Sequence, residues 1–293
     1  MTAVVDTIWC VLGNHPQDSS WQKEFIICLQ GATHRNSQFE DALALRNRNL
    51  PPRIYKYRKC SSPYHLEALE NDTAWLCSPK RYNDPYDCWF TLPDGFIAAL
   101  VEHALNRPND RIYEFAAKQA AKKFAIRLAK YRDHAKICSF SSCHDSVLMW
   151  SHYSEDHSGF CIEYDLEGLD PKHSFCKNLY PVVYSDDLNY LRIFVQKQIP
   201  FDAERYPYKG HLLCMLVKFR GWKYENEWRF IRETTTQEDD GPMTVPVASR
   251  VLVGSQFEHD KNEKLIAICR KKKIPIEQMQ LANEKSELRS NPF

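Results

Sequence analysis

The most regular alternation of hydrophobic and polar residues lies late in the chain, between Gly221 and Arg232. Because the side chains of a β-strand point alternately to its two faces, this alternation predicts a strand with one aromatic and one charged face. The two predicted faces are Trp222, Tyr224, Trp228 and Phe230 on one side, and Lys223, Glu225, Glu227 and Arg229 on the other. A solvated strand face has this composition, but two carboxylates flanked by cations also suit acid–base chemistry or the binding of ribose hydroxyls.

Elsewhere the pattern predicts short strands interspersed with amphipathic helices. We predict strands at 54–58, 74–77, 135–142, 160–166, 181–184, within 243–253 and at 275–281, and helices at 21–29, 39–46, 64–69, 95–132 with a break at Pro108, 145–153, in 187–208 and at 258–273. The strand at 160–166 is predicted to be half-buried, and its inward residues are Phe160, Ile162, Tyr164 and Leu166. The polar tail after Ala282 is predicted to be irregular.

The order of these elements indicates an α+β protein with mixed, mainly antiparallel sheets and flanking helices. The segment Asn49-Leu50-Pro51-Pro52 ends the second predicted helix, because proline cannot continue a helix and restricts the residue before it. We therefore expect an N-terminal extension at 1–50 that packs on a single α+β domain at 51–293.

Composition narrows the classes of function. The 39 Lys and Arg residues balance the 38 Asp and Glu residues, so the chain has no overall field that would attract nucleic acid or an acidic membrane. The 11 cysteines contain no Cys-x-x-Cys pair, which argues against a zinc ribbon or a redox dithiol, and we predict no metal site. No apolar run approaches the roughly 20 residues that span a bilayer, and residues 1–12 do not resemble a signal peptide. We expect a cytoplasmic protein without membrane contact.

Known catalytic motifs are scarce in the chain. The sequence contains no Gly-x-Ser-x-Gly, P-loop or dinucleotide-binding glycine motif. Serine hydrolases of that type, Walker-type ATPases and Rossmann dehydrogenases are therefore not supported.

Four other motifs combine aromatic, charged and hydroxyl residues. They are Tyr55-Lys56-Tyr57-Arg58; Tyr82-Asn83-Asp84-Pro85-Tyr86-Asp87; Ser139-Phe140-Ser141 with Leu148-Met149-Trp150-Ser151-His152-Tyr153 and Gly159; and Trp222-Lys223-Tyr224-Glu225-Asn226-Glu227-Trp228-Arg229. In this order they resemble the bacterial family catalogued as domain of unknown function 2971, from about Ile54 to Met279. The family's turn usually reads Asn-Asp-Pro-Phe-Glu, so Tyr86 and Asp87 are conservative departures. The resemblance implies a cytosolic protein, associated in some members with phage defence.

A second resemblance concerns chemistry. Arg58 lies on an early predicted strand, Ser139 and Ser141 on a strand in mid-chain, and Glu225 and Glu227 late in the chain. This order is similar to that of mono-ADP-ribosyltransferases of the Arg-Ser-Glu type, which implies an ADP-ribosyltransferase-like fold with NAD as the substrate. In those enzymes Glu-x-Glu usually lies in a turn before its strand, whereas the alternation here predicts that it lies within a strand.

This resemblance implies a role for each catalytic candidate. Arg58 would neutralise pyrophosphate charge, and Ser139 would help to hold the nicotinamide end. Glu227 would bond the ribose 2′-hydroxyl and stabilise the oxocarbenium-like transition state as nicotinamide leaves, while Glu225 would orient or deprotonate the acceptor. Substrate-binding roles around them are assigned to Tyr55, Asn83, Asp84, Ser141, Trp150, His152, Tyr153 and Arg229.

Three hypotheses for function follow. The first is an NAD-consuming ADP-ribosyltransferase or NAD glycohydrolase, a phage-defence effector or toxin that binds a small-molecule dinucleotide and uses a protein or nucleic acid as acceptor. The second is a metal-dependent hydrolase or nuclease built from Asp84, Asp87, His152 and Glu227. The third is a non-enzymatic sensor or adaptor of a defence system. The first requires Arg58, Ser139 and Glu227 to meet at one cavity; the sequence does not predict an oligomeric state.

Overall fold

An eight-stranded sheet forms the centre of the protein. The structure is a computed structural model that describes residues 20–32, 36–89, 111–186, 211–234, 238–281 and 288–292. The helices are α1 (Ser20–Gly31), α2 (Gln38–Arg48), α3 (Pro63–Glu70), α4 (Arg111–His134), α5 (Val147–Tyr153), α6 (His211–Leu216) and α7 (Glu263–Lys272). The strands are β1 (Arg53–Arg58), β2 (Thr73–Leu76), β3 (Lys136–Ser141), β4 (Phe160–Asp165), β5 (Leu179–Pro181), β6 (Val183–Ser185), β7 (Val217–Phe219), β8 (Glu227–Arg232), β9 (Gly241–Thr244), β10 (Arg250–Val253), β11 (Ile276–Leu281) and β12 (Leu288–Pro292).

The strand order of this sheet is β12-β11-β10-β4-β1-β3-β8-β5. Neighbouring strands are antiparallel except β10 and β11, which are parallel. Two small pairs lie outside it, the antiparallel β2–β9 and the parallel β6–β7. The predicted α+β class with mixed, mainly antiparallel sheets is confirmed.

The middle of the sheet is covered on both faces. In β4, Cys161 and Glu163 are buried together with Phe160, Ile162 and Tyr164. The half-buried strand predicted here is therefore wrong. The strand has a central position with packed side chains above and below it, and a strand buried on both faces shows no clean division into inner and outer residues.

The helices of the predicted N-terminal extension pack on the core. Phe25, Ile26 and Leu29 of α1 are buried in one cluster with Leu212 and Leu213 of α6. Trp21 also stacks on Trp228 of β8, with 6.2 Å between ring centroids. This packing agrees with an extension that is docked on the sheet, and its boundary at residue 50 stays a prediction.

Most predicted elements are confirmed, and three are corrected. The strand predicted at 181–184 is divided between β5 and β6, which belong to different sheets. The tail is not irregular at Leu288–Pro292, because these residues form β12 and pair with β11. The stretch at 221–232 is not one strand, as described below. Residues 90–110 and 187–210, with the break at Pro108 and the helix predicted in 187–208, lie outside the described residues.

The strands β1 and β3 separate from each other and leave a fork in the sheet. They pair at a single position, Tyr55 with Ser141. At the other end of β3, Ile137 instead forms a bridge with Cys77, which follows β2. Inside the fork the Lys56 ammonium donates a hydrogen bond to the backbone oxygen of Ser139, which replaces a missing strand partner.

Candidate functional site

A cavity of about 210 Å³ lies at the fork between β1 and β3. Its lining is Tyr55, Lys56, Tyr57, Arg58, Tyr82, Asn83, Asp87, Ser139, Phe140, Ser141, Met149, Tyr153, Lys218, Glu225 and Glu227. The strand order β1-β3-β8 makes neighbours of the three motif strands, which lie far apart in the sequence. The four predicted catalytic residues, Arg58, Ser139, Glu225 and Glu227, therefore all line one cavity.

The cationic side of the cavity is the end of β1. Arg58 lines the cavity, and its buried Nε has no hydrogen-bond partner among the described residues. Lys56 lines the same cavity, where burial lowers the pKa of its amine. Gly159 packs closely against this end of β1. A Cβ atom on residue 159 would lie 2.4 Å from the Arg58 carbonyl oxygen, so a larger residue would push the two backbone segments apart.

The acidic side is a tight turn, and here the strand predicted from Trp222 onward is wrong. Residues Arg220–Glu225 form a 3-10 helix, Asn226 follows with a left-handed φ of 44°, and β8 begins at Glu227. Asparagine tolerates this conformation better than most residues. Ser141 holds the turn, since its hydroxyl donates to the Glu225 carbonyl oxygen at 2.6 Å. Of the Glu-x-Glu motif, Glu225 therefore lies at the end of the turn and Glu227 is the first residue of β8.

Five buried charged side chains form what we call the cavity network: Asp87, Lys218, Glu225, Glu227 and Arg229. The Lys218 Nζ donates to Glu225 Oε2 at 2.5 Å and to Glu227 Oε2 at 2.9 Å. The same Nζ lies 3.6 Å from Asp87 Oδ2. One ammonium therefore contacts three carboxylates.

Arg229 holds the other side of the cavity network. Its side chain is fully buried and donates to both oxygens of Glu227, at 2.7 and 3.0 Å. It also donates to Asp87 Oδ2 at 2.6 Å and to the Met215 carbonyl oxygen at 2.7 Å. Because every one of these partners lies inside the protein, Arg229 fixes Glu227 and does not itself reach the cavity.

The two glutamates of the cavity network have opposite pKa shifts. Burial and the charge of Glu227 raise the pKa of Glu225, and Lys218 opposes this only in part. Burial would also raise the pKa of Glu227, but the charges of Arg229 and Lys218, with hydrogen bonds from Arg229 and Ser139, outweigh it and lower the pKa. Such divergence within a pair of carboxyls is typical of residues with separate proton-transfer roles.

Two tyrosines complete the acidic side. Tyr153 of α5 donates its hydroxyl to Glu225 Oε1 at 2.6 Å. The Tyr82 hydroxyl lies 3.4 Å from the Ser139 hydroxyl, and the Arg229 guanidinium lies over the Tyr82 ring. The predicted residues Tyr55, Asn83, Ser141 and Tyr153 thus line the cavity, although the Ser141 hydroxyl is already bonded to the turn.

Four residues predicted to bind substrate are not brought to the cavity lining. Trp150 is fully buried and donates its indole N–H to the His144 carbonyl oxygen at 2.7 Å, which is a structural contact. His152 is exposed and lies beside the Tyr224 ring. Asp84 accepts a hydrogen bond from the Tyr86 backbone N–H at 2.8 Å and shapes the turn. Arg229, as shown above, lies behind Glu227.

Sequence reasoning missed Lys218, which is central to the site. Its signal was a single lysine within the apolar segment Leu216-Val217-Lys218, because a buried lysine requires an anionic partner. The second hypothesis assigns Asp87 to a metal. The structure pairs its carboxylate with Arg229 instead.

The geometry does not group the acids of the second hypothesis around a metal position. Within the described ranges, no three side chains of His, Cys, Asp or Glu are arranged to hold a metal ion. Asp87 and Glu227 each face the Arg229 guanidinium.

A second group of charges, in which Glu163 is buried and Arg250 and Glu277 are partly exposed, lies elsewhere on the eight-stranded sheet. We call it the strand network: Glu163, Ser249, Arg250 and Glu277. Arg250 donates to Glu163 Oε2 at 2.5 Å and to Glu277 Oε2 at 2.6 Å. The Ser249 hydroxyl donates to Glu163 Oε1 at 3.0 Å. Its members join β4, β10 and β11, and none of them lines the cavity.

Comparison with known proteins gives one family match. The model of a family described as "Protein of unknown function (DUF2971)" matches residues 149–230. The matched range contains Tyr153, Lys218, Glu225 and Glu227 of the site, and it is narrower than the range from Ile54 to Met279 expected from the motifs. No curated protein and no solved structure matches the chain. No helix in the part of the chain that the structure describes is long and apolar enough to cross a membrane.

Proposed function

We propose that this protein cleaves the N-glycosidic bond between nicotinamide and ribose in NAD, as an ADP-ribosyltransferase or an NAD glycohydrolase. The observation that supports this proposal is the meeting of Arg58, Ser139, Glu225 and Glu227 at one cavity through the strand order β1-β3-β8. A guanidinium, a hydroxyl and a pair of carboxylates are the groups that the similarity to Arg-Ser-Glu transferases assigns to this reaction.

The cavity has a charge polarity that suits a dinucleotide. Lys56 and Arg58 on one side form no ion pair with a carboxylate of the described residues, whereas Lys218 on the other side is neutralised by its carboxylate neighbours. The pyrophosphate would lie against Arg58, since guanidinium groups bind phosphate oxygens through paired hydrogen bonds. The ribose next to nicotinamide would then reach the glutamates.

One acceptor position of Glu227 is not taken by its two buried cations. A carboxylate can accept about four hydrogen bonds, and Arg229 and Lys218 provide three. The fourth position is on Oε1; the Ser139 hydroxyl, whose hydrogen bond also lowers the pKa of Glu227, would have to yield it to the ribose hydroxyl. Because its pKa is lowered, Glu227 is an anion at neutral pH and would stabilise the positive charge that develops on the ribose as nicotinamide leaves.

The size of the cavity limits which part of the substrate it encloses. Its volume of about 210 Å³ is below the roughly 300–1,000 Å³ of pockets that enclose a whole drug-sized ligand. We expect the nicotinamide riboside portion to enter, between the tyrosines of the lining, while the adenosine portion lies outside. The NAD-binding mode is thus one of partial enclosure.

The first test is NAD turnover by the purified protein. Incubation with NAD should release nicotinamide, together with ADP-ribose if water is the acceptor or a labelled macromolecule if it is not. Glu227→Gln should abolish release while circular dichroism and thermal unfolding show a folded protein. Glu167→Gln is the matched control, because Glu167 is an exposed glutamate. Equal rates for wild type and Glu227→Gln would contradict the proposal.

A role as a defence effector or toxin would follow from the same activity. An enzyme that consumes NAD lowers the cellular NAD content, so induced expression should arrest bacterial growth, and Glu227→Gln should relieve the arrest. The NAD concentration in extracts, measured before growth stops, distinguishes depletion from nonspecific toxicity. Growth arrest with unchanged NAD would leave the enzymatic proposal without a cellular consequence.

A non-enzymatic nucleotide sensor is the second candidate, and one observation favours it. Both carboxylates of the cavity are already bonded within the protein, Glu225 to Lys218 and Tyr153, and Glu227 to Lys218 and Arg229. A sensor would bind NAD or ADP-ribose, as seen by calorimetry, and would release no nicotinamide. The two experiments together separate this candidate from the enzyme.

A further inference from the structure

Lys218 connects the two carboxylates of the cavity. It lies on β7, is 6% exposed, and donates to one oxygen of Glu225 and one of Glu227. Its Nζ also lies over the Trp222 ring, at 5.2 Å from the centroid. This contact and the short strand leave the ammonium in one place, between the two glutamates.

The charges of the cavity network do not balance when all its groups are ionised. It contains three carboxylates, those of Asp87, Glu225 and Glu227, against the two cations Lys218 and Arg229. An uncompensated charge is costly in a buried site. The network therefore favours uptake of one proton. Glu227 accepts three hydrogen bonds from cations and Glu225 only one, so Glu225 is the carboxyl that takes the proton, in agreement with its raised pKa.

Lys56 and Arg58 of β1 line the same cavity, but among the described residues neither forms an ion pair with Glu225 or Glu227. The other groups packed against the pair are neutral and do not supply the missing positive charge. Tyr153 of α5 donates to Glu225, and Tyr184 of β6 accepts a hydrogen bond from the Glu227 backbone N–H. The loop at 82–89 contributes Tyr82 and Cys88 beside Arg229. Burial raises the pKa of all four side chains, so they are neutral around pH 7. Tyr224, whose pKa burial also raises, is the neutral neighbour of Glu225 in the 3-10 turn.

We propose that Lys218 is a positioning residue that holds Glu225 and Glu227 as one proton-sharing unit, in which Glu227 stays ionised and Glu225 binds and releases the proton. The catalytic part of this inference rests on the proposed function. Once ionised, Glu225 accepts a proton from the attacking water as the new bond from oxygen to the ribose C1′ forms. The bond from C1′ to the pyridinium nitrogen breaks at the same centre, and its electron pair leaves with nicotinamide.

The pH dependence of NAD cleavage tests the role of Lys218. Lys218→Met removes the charge and keeps most of the side-chain volume, so the carboxyls should hold their proton more tightly. We expect the acidic limb of the pH–rate profile to move up by about one pH unit or more. Lys218→Arg keeps the charge and should leave the limb near its wild-type position. A rate that falls equally at every pH, with an unmoved limb, would reduce Lys218 to a purely structural role and overturn the proposal.

A titration that needs no activity separates this inference from the proposed function. Carboxyl carbons of ¹³C-labelled glutamate are followed by NMR in the wild type, with Glu225→Gln and Glu227→Gln used to assign the two signals. Glu227 should remain ionised over the range in which Glu225 titrates. Two independent titrations with ordinary pKa values would overturn the inference, even where Lys218→Met fails to fold. If the two glutamates titrate as a coupled pair but the protein does not cleave NAD, only the proposed function is rejected. If the protein cleaves NAD but the glutamates titrate independently, only the proposed role of Lys218 is rejected.

Discussion

The cavity network and the strand network are two groups of charges, and they differ in burial, in balance and in access to a cavity. In the strand network Arg250 is shared by Glu163 and Glu277. Outside the network, the half-exposed Arg53 of β1 lies 3.9 Å from Glu163, so two cations in all face the two carboxylates. In the cavity network, two cations face three carboxylates beside a cavity. A balanced network is sufficient to join strands. We connect the excess of one negative charge beside the cavity with proton transfer, because such an imbalance shifts the pKa of a carboxyl group.

The largest difference should appear in stability when the central arginine of each network is removed. Arg229→Met leaves Asp87 and Glu227 buried with one cation between them, which should cost about 3–5 kcal/mol in the free energy of unfolding. Arg250→Met should cost about 1–3 kcal/mol, because Arg250 and Glu277 reach solvent. Urea unfolding of both variants measures the two costs. Equal costs would mean that the burial of the cavity network adds nothing to its energy.

Substitution of one buried glutamate in each network distinguishes an effect on catalysis from an effect on stability. Glu227→Gln should lower the rate of nicotinamide release by about 100-fold or more, the effect of losing one group that stabilises a transition state. Glu163→Gln, at an equally buried position, should reduce stability and leave the rate per folded molecule unchanged. Single-turnover rates, corrected for the folded fraction, test this. A comparable loss of rate in both variants would remove the distinction.

The cation end of the cavity offers a smaller and more specific effect. Arg58→Met should raise the KM for NAD by roughly 10- to 100-fold, the value of a hydrogen bond to a charged group. Stability should change little, because Arg58 has no carboxylate partner among the described residues. Arg53→Met is the matched control on the same strand, since Arg53 lies near Glu163 of the strand network. An unchanged KM in Arg58→Met would mean that the pyrophosphate does not bind there.

The smallest expected effect is a pH dependence of stability with opposite signs for Glu225 of the cavity network and Glu277 of the strand network. The pKa of Glu225 is raised by burial, so its contribution to stability is present below its unfolded pKa and is lost as pH rises through its folded pKa. Glu225→Gln should therefore gain stability relative to wild type as pH rises from about 4 towards neutral.

Glu277 supplies the control for this sign. Its hydrogen bond with Arg250 lowers its pKa, so its contribution is present above the unfolded pKa and is lost as pH falls. Glu277→Gln should lose stability relative to wild type as pH rises. Urea unfolding at several pH values checks both variants, and slopes of the same sign would contradict the assignment of the two pKa shifts.

Local pattern predicted the elements of the fold well where local forces decide them. The helix at Val147–Tyr153 begins after Ser146, whose side chain accepts a hydrogen bond from the Met149 backbone N–H, as expected of a serine before an apolar run. The pattern failed at Trp222–Glu225, where aromatic and charged residues alternate as in a strand but form a 3-10 turn. There Ser141, from a strand 84 residues away, holds the carbonyl oxygen of Glu225.

The residue types of the candidate site could be predicted from the sequence, but the ion pairs and hydrogen bonds between them could not. Glu225, Glu227, Arg58 and Ser139 stood out because their order matched a known chemical pattern, and they line the same cavity. Lys218 and Asp87 could not be assigned from spacing. Their partners lie on other elements of the fold. These charges pair because they are buried together, which the spacing of residues in the sequence does not show.

The amino-acid sequence by itself determined the α+β class, most of the helices and strands, and the acidic and hydroxyl groups that the site would use. These follow from periodicity and residue chemistry, which act over a few neighbouring positions. The tertiary structure decided that β1 and β3 separate after a single pair and that one lysine would lie between two glutamates. Both depend on how distant strands are ordered in a sheet, and the free energy that sets this order comes from contacts between residues remote in the chain.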